Sequence, residues 1–279
     1  MTRKSTFSGK CRIVVSDIDE TFVATDKTIP PRNLMALKKL ADAGIDFAFA
    51  SGRYWPSLRV LTQKLGLHAP QIVDNGAMLI QPDGELVLAR HPVGRECLEY
   101  FYYGLRKAGF IPLLCTGLEY HAPEMDAPLS EQLDMHSEAA TVIPESDIEK
   151  GFDDYGKLVV FAQHRCEELN ATAEKLLSAA PKHFRFSSVF TEQGIFVVTA
   201  ENVSKGSGVL SLCKAIGCAP EDVVSVGDGD NDVEMLALTG RSFVVANGTA
   251  RAKKVATDIV ASNNEAGFAV AVDLLLVLN

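Results

Sequence analysis

The sequence is short of the features that mark several protein classes. Its 27 Lys and Arg are outnumbered by 36 Asp and Glu, for a formal net charge of -9, and its basic runs are pairs such as Lys38-Lys39 and Lys253-Lys254. Nucleic acids and anionic membranes need clustered cations to displace counterions, so neither is an expected partner. Six cysteines (Cys11, Cys97, Cys115, Cys166, Cys213, Cys218) contain no Cys-x-x-Cys pair. That excludes a zinc ribbon or a dithiol redox motif and reads as free thiols in a reducing cytosol. Residues 1–10 lack the apolar centre of a secretion signal, and the apolar stretch 268–278 is too short to span a bilayer and carries Asp273. A cytoplasmic protein with an amphipathic terminal helix is expected. There is no internal repeat or low-complexity tract.

Several ligand fingerprints are also incomplete. Gly151-x-x-x-x-Gly156-Lys157 runs into Leu158 where a phosphate loop needs Ser or Thr, and Ser211 stands where Gly206-x-Gly208 would need the third glycine of a dinucleotide motif. Calcium loops need Gly sixth and Glu twelfth; from Asp17 these places hold Phe22 and Thr28, and from Asp228 they hold Val233 and Thr239. His91, His121, His136, His164 and His183 have no metal-ligand spacing and read as solvated or capping residues.

What the chain has is size and alternation. A length of 279 residues with 47% hydrophobic content suits two compact domains. Short β-branched runs at 11–16, 45–50, 71–73, 222–226 and 242–246 alternate with helical periods at 32–43, 53–65, 205–216 and 232–238. That is the pattern of a Rossmann-like, doubly wound parallel sheet, class α/β, built from residues 1–86 and 199–279. Between them, residues 87–198 read as an inserted α+β cap. A turn at 82–84 precedes strands at 85–89, 111–115, 157–162, 184–189 and 195–199 and two helices at 95–108 and 167–177, with a long loop holding one short helix over 122–150.

Ligands of such sheets bind where strands deliver their carboxyl ends. The first run delivers Asp17-Ile18-Asp19-Glu20-Thr21, the second Ser51-Gly52-Arg53, and the fourth Gly227-Asp228-Gly229-Asp230-Asn231-Asp232. Gathering Asp17, Asp19, Asp228 and Asp232 in one crevice demands a compensating cation; oxygen ligands without a His or Cys set favour Mg2+ over zinc. A carboxylate can attack phosphorus, and a second can protonate the leaving alcohol. Strand alternation would place Asp17 and Asp19 on one side for that division of labour. Ser51 and the Gly52 amide can donate to a phosphoryl group, and Lys205, at a helix start between Ser204 and Gly206, can neutralise it.

Those motifs, in that order and spacing along the full length, resemble the haloacid dehalogenase-like phosphatases of the Cof-type branch with a large α/β cap. Asn75-Gly76-Ala77 and 262–267 are similar to that branch too. The resemblance implies a nucleophilic and metal-ligating Asp17, and an acid/base Asp19 whose backbone carbonyl also meets the metal. It further implies phosphate binding by Ser51 and Lys205, Asn231 at the phosphate or metal edge, Asp228 as metal ligand and Asp232 supporting the metal from behind. Asp230 is outside the motif and reads as solvated. The substrates implied are small phosphorylated metabolites, sugar phosphates first, selected by a cap whose closure excludes water. Rivals on the same scaffold are a phosphomutase or phosphotransferase and a silent phosphate-binding regulator. Glu20, where many relatives carry Gly, departs from the pattern and bears on turn geometry and substrate selection. No role follows for Val245-Ala246-Asn247-Gly248.

Overall fold

The computed structural model describes residues 11–135, 138–191 and 194–278. Residues 1–10 and His136, on which two expectations fall, lie outside that description. The chain divides into two compact units, one of Met1–Gly52, Leu61–Ala89 and Ser204–Asn279, the other of Arg53–Val60 and Arg90–Val203.

In the first unit five strands form a wholly parallel sheet in the order Asp258–Val260, Arg241–Val245, Val223–Gly227, Ile13–Ser16, Asp46–Phe49. Strands buried on both faces carry near-continuous apolar runs, as Ile13, Val14 and Val15 do. Ile13 and Val15 pack with Ala48, Ile72, Val209, Leu212 and Met235 on one side. On the other, Phe22, Phe47, Phe49 and Phe268 meet edge to face, with ring centroids 4.9–5.1 Å apart for three of the pairs. Register sets the functional edge: Ser16 lies opposite Val226 on one side and Phe49 on the other, so the three strands end together.

Helix Pro31–Asp42 begins with Pro at its first turn, where no intrahelical N–H is lost. Helix Lys205–Ile216 is capped by Ser204, whose hydroxyl accepts from the Ser207 amide at 3.1 Å. Its remaining turns bury Val209 and Leu212. The terminal helix Gly267–Leu278 buries Phe268, Val272 and Leu275 but leaves Val277 84% exposed. Its amphipathicity is thus partial, marked by Asp273, which Lys39 meets at 2.6 Å. No helix among the described residues is long and apolar enough to cross a membrane. A three-stranded sheet, Gln71–Val73, Met78–Ile80 and Val87–Arg90, antiparallel in its first pair, adds further strands, and Leu88 and Ala89 pack on the core of the first unit.

The second unit holds a six-stranded sheet in the order Phe186–Thr191, Ile195–Ala200, Lys157–Phe161, Leu113–Cys115, Tyr120–Ala122, Ala140–Val142, antiparallel except for the last pair. Alternate residues separate its faces. Leu158, Val160, Phe196 and Val198 pack under helices Arg95–Lys107 and Cys166–Ala179, while Val159, Leu113 and Cys115 face Tyr54, Tyr120, Leu129 and Leu133.

The stretch 122–150, expected as a loop with one short helix, instead contains two, Ala127–Met135 and Glu145–Lys150, together with strand Ala140–Val142. Pro128 and Pro144 open these helices instead of breaking them, and the Asp126 carboxylate caps the first by accepting from the Leu129 amide at 2.8 Å. Strands Met78–Ile80 and Asp258–Val260 were too short to show a period.

Candidate active site

Strand Ile13–Ser16 ends one residue before Asp17, whose amide is held by the Val226 carbonyl at 2.9 Å. The chain then turns: the Ile18 carbonyl accepts from the Phe22 and Val23 amides at 2.9 and 3.0 Å. Strand alternation therefore does not relate Asp17 to Asp19.

Asp17, Asp228 and Asp232 each bring a carboxylate oxygen within 4.8 Å of the others. Lys205, with a fully buried side chain, places Nζ 2.6 Å from Asp17 Oδ1 and 2.6 Å from Asp232 Oδ1. It is the first residue of the helix that Ser204 caps. The other Asp232 oxygen accepts from the Asp228 and Gly229 amides at 2.9 and 2.8 Å, so this carboxylate orients both the lysine and the loop. Gly227 makes room for it: a Cβ there would stand 2.7 Å from the Asp232 carboxyl. Thr21 Oγ1 donates to Asp228 Oδ1 at 2.7 Å, a contact the motif contained but did not explain.

Burial, Asp232 and Asp228 push Asp17 up to about 8 against the opposing pull of Lys205. Burial also raises Asp228, while Thr21 works against it. Burial opposes the charge of Lys205, but Asp17 and Asp232 outweigh it, so its pKa is raised. Three carboxylates facing one ammonium leave a net charge of -2 when all are ionised. An all-oxygen donor set with surplus negative charge fits a hard divalent cation.

Ser51 is buried, its amide bonded to the Ile72 carbonyl at 3.0 Å and its carbonyl to the Asn75 amide at 2.8 Å. Gly52 lies close under Asn75, whose Nδ2 would stand 3.1 Å from an added Cβ, a tight contact. Asn75, left-handed at φ 53, also accepts from Asn231 Nδ2 at 3.2 Å. It joins the second and fourth motifs, a role its sequence signal did not reveal. Gly76 lets the same loop touch the lysine helix, since a Cβ would fall 2.0 Å from the Ser204 carbonyl oxygen.

Two expectations change. The Asp19 carboxylate is outside the three-carboxylate group and meets Lys27 Nζ at 3.2 Å. Asp230 is exposed but not simply solvated: Thr249 Oγ1 and Arg251 donate to it at 2.8 and 3.0 Å and lower its pKa. Asn247 and Asn263, given no role above, hold the Asp19-Glu20 turn: Asn247 Nδ2 donates to the Glu20 carbonyl at 2.8 Å and Asn263 Nδ2 to its carboxylate at 3.1 Å.

Known proteins share this arrangement of chain. Residues 14–272 match the family model of haloacid dehalogenase-like hydrolase, and the chain belongs to that family. It is 24% identical over 257 residues to a phosphoglycolate phosphatase of Methanopyrus kandleri, covering 92% of this chain and 94% of that one. It is 26% identical over 286 residues to the chloroplastic endoribonuclease YBEY of Arabidopsis thaliana, covering 95% of this chain; there it spans 47%, about half, of the relative's length. A solved structure described as a sugar phosphatase of HAD subclass IIB superimposes with a TM-score of 0.77 at 18% identity, covering 96% of this chain and all of that one.

Proposed function

We propose that this hydrolase cleaves small phosphate monoesters, sugar phosphates among them, through an aspartyl-phosphate on Asp17. The observation that carries the proposal is the meeting of buried Asp17 and Asp232 and half-buried Asp228 beside the buried Lys205. A metabolite-sized ester is also what the names of the phosphoglycolate and sugar phosphatases describe for those proteins. In the first half-reaction an Asp17 oxygen bonds to phosphorus as the bond to the leaving oxygen breaks, and Asp19 gives its proton to that oxygen. In the second, Asp19 takes a proton from water, the hydroxide bonds to phosphorus, and the bond to Asp17 breaks, releasing phosphate. Lys205, Ser51 and the Gly52 amide balance the charge that grows on the phosphoryl oxygens, with Asn231 at the edge.

Bound Mg2+ would be held by Asp17, Asp228 and the Asp19 carbonyl, with Asp232 behind them, and would supply electrostatic stabilisation of the phosphoryl group. Residues 87–198 would choose the leaving group. The buried cysteines Cys11, Cys97, Cys115 and Cys213 suit a reducing cytoplasm.

The test is phosphate release from a panel of phosphorylated metabolites and from 4-nitrophenyl phosphate with MgCl2. Release should stop with EDTA and fall by about 10³ or more in Asp17→Asn. An Asp17→Asn protein as fast as the parent overturns the reading; isomerised hexose phosphate in place of free phosphate would instead identify a mutase.

A further inference from the structure

We propose that Lys27 is a positioning residue for the acid/base carboxylate of Asp19, with Glu20 as the anchor that keeps Lys27 in place; this rests on the phosphatase reading above. Lys27 Nζ stands 3.2 Å from Asp19 Oδ1 and 3.7 Å from Glu20 Oε1, bridging two neighbouring carboxylates. By exposure alone the bridge is a surface pair, with side chains 61% and 41% exposed for Lys27 and Asp19, and such pairs are individually weak.

The backbone around it is not that of an ordinary surface turn. Glu20 and Lys27 both sit in the left-handed region, at φ 56 and 66, which residues with a Cβ seldom adopt. Each is pinned. The Lys27 amide donates to the Ala24 carbonyl at 2.9 Å, closing a turn whose Ala24 amide donates to the Thr28 carbonyl at 2.8 Å. The Glu20 carboxylate accepts from Thr25 Oγ1 at 2.8 Å and from Asn263 Nδ2 at 3.1 Å, and Asn264 Oδ1 accepts from the Thr25 amide at 3.0 Å. Loop 262–265 thus holds the turn, the turn presents Lys27, and Lys27 meets Asp19. Glycine at position 20 would keep the backbone but lose the carboxylate that ties these pieces together.

Protonation of the leaving oxygen matters for an alkyl ester, whose alkoxide leaves poorly, and little for 4-nitrophenolate. The experiment measures kcat/KM with MgCl2 for 4-nitrophenyl phosphate and for the best alkyl monoester of the metabolite panel. The proteins compared are the parent, Lys27→Ala, Lys27→Arg, Asp19→Asn and the Asp19→Asn/Lys27→Ala pair. Lys27→Ala should lose about 10- to 100-fold on the alkyl ester and change the aryl ester by no more than about twofold. Lys27→Arg should recover most of the loss, and Lys27→Ala should add nothing once Asp19 is Asn. Equal losses on both esters, no loss on the alkyl ester, or additive effects in the double variant would each overturn the assignment. A parent that releases phosphate from neither ester sinks the phosphatase reading itself, a different outcome from any of these.

Discussion

The two units spend their buried interior differently. Of the seventeen buried polar or charged residues among those described, fifteen lie in the first unit and only Gln132 and Lys157 in the second. The first unit buries Asp17, Ser51, Lys205, Asp232 and Asn263 around strand ends and loops, where each is bonded to another segment, and Ser16, whose hydroxyl donates to the neighbouring Asp17 carbonyl. The second fills its interior mainly with rings and aliphatic side chains such as Phe101, Tyr102, Phe152, Phe196 and Leu158, and ion pairs such as Arg95 with Asp153 lie at its surface. Burying a charge is tolerable only where partners are provided, and the proposed phosphatase chemistry would need such charges ready. An apolar interior asks only for volume, so its residues can vary as long as the sheet faces stay filled.

The contrast is broken most directly at Lys205. Lys205→Ala leaves Asp17 and Asp232 buried without their cation; phosphate release should fall about 10²-fold or more and urea unfolding should show a loss of about 3–5 kcal/mol. Activity and stability should fall together. In the second unit they should separate: Phe101→Ala removes a fully buried ring and should cost about 3–5 kcal/mol in the same measurement, while kcat for 4-nitrophenyl phosphate stays within about threefold.

Titration sharpens the comparison further. Asp17 is raised from 3.8 to about 8, so the metal-free fold binds a proton there that the unfolded chain releases. Its contribution to stability is complete below pH 3.8 and is lost as pH rises toward 8. Divalent cation requires the ionised form, so MgCl2 should raise the melting temperature more at pH 8 than at pH 5, with stabilisation of about 2–3 kcal/mol at a hundredfold excess over Kd. An equal rise at both pH values would remove Asp17 from the ligand set. The smallest effect belongs to Asp230→Ala, which loses only exposed bonds to Thr249 and Arg251; phosphate release should stay within about twofold despite its place in the aspartate run.

Much of the first unit was legible because parallel strands announce themselves as apolar runs and place polar residues at one edge. Asp17, Ser51, Lys205, Asp228 and Asp232 could be named from motif order alone. Asp19 is the instructive case. Its residue type and spacing were readable, yet alternation along a strand does not extend past Ser16, and its partner Lys27 lies on a turn whose geometry no periodicity reveals. Within 122–150 one short helix was legible where there are two and a strand, for a related reason: six to nine residues give too few turns for a hydrophobic stripe, and the segment's prolines and acids read as loop.

By itself the sequence determined which chemical groups the chain could bring to an active site and the alternation that puts them at strand ends, because side-chain type and local period are properties of neighbours along the chain. Only the tertiary structure decided that Asp232 would orient Lys205, that Asn75 would join two motifs, and that Glu20, Lys27 and Asn263 would brace the turn after Asp19. Those partners are 27, 156 and 243 residues apart for the Lys205–Asp232, Asn75–Asn231 and Glu20–Asn263 bonds. Contacts across such separations exist only once the sheet has set the register of strands that the chain visits far apart.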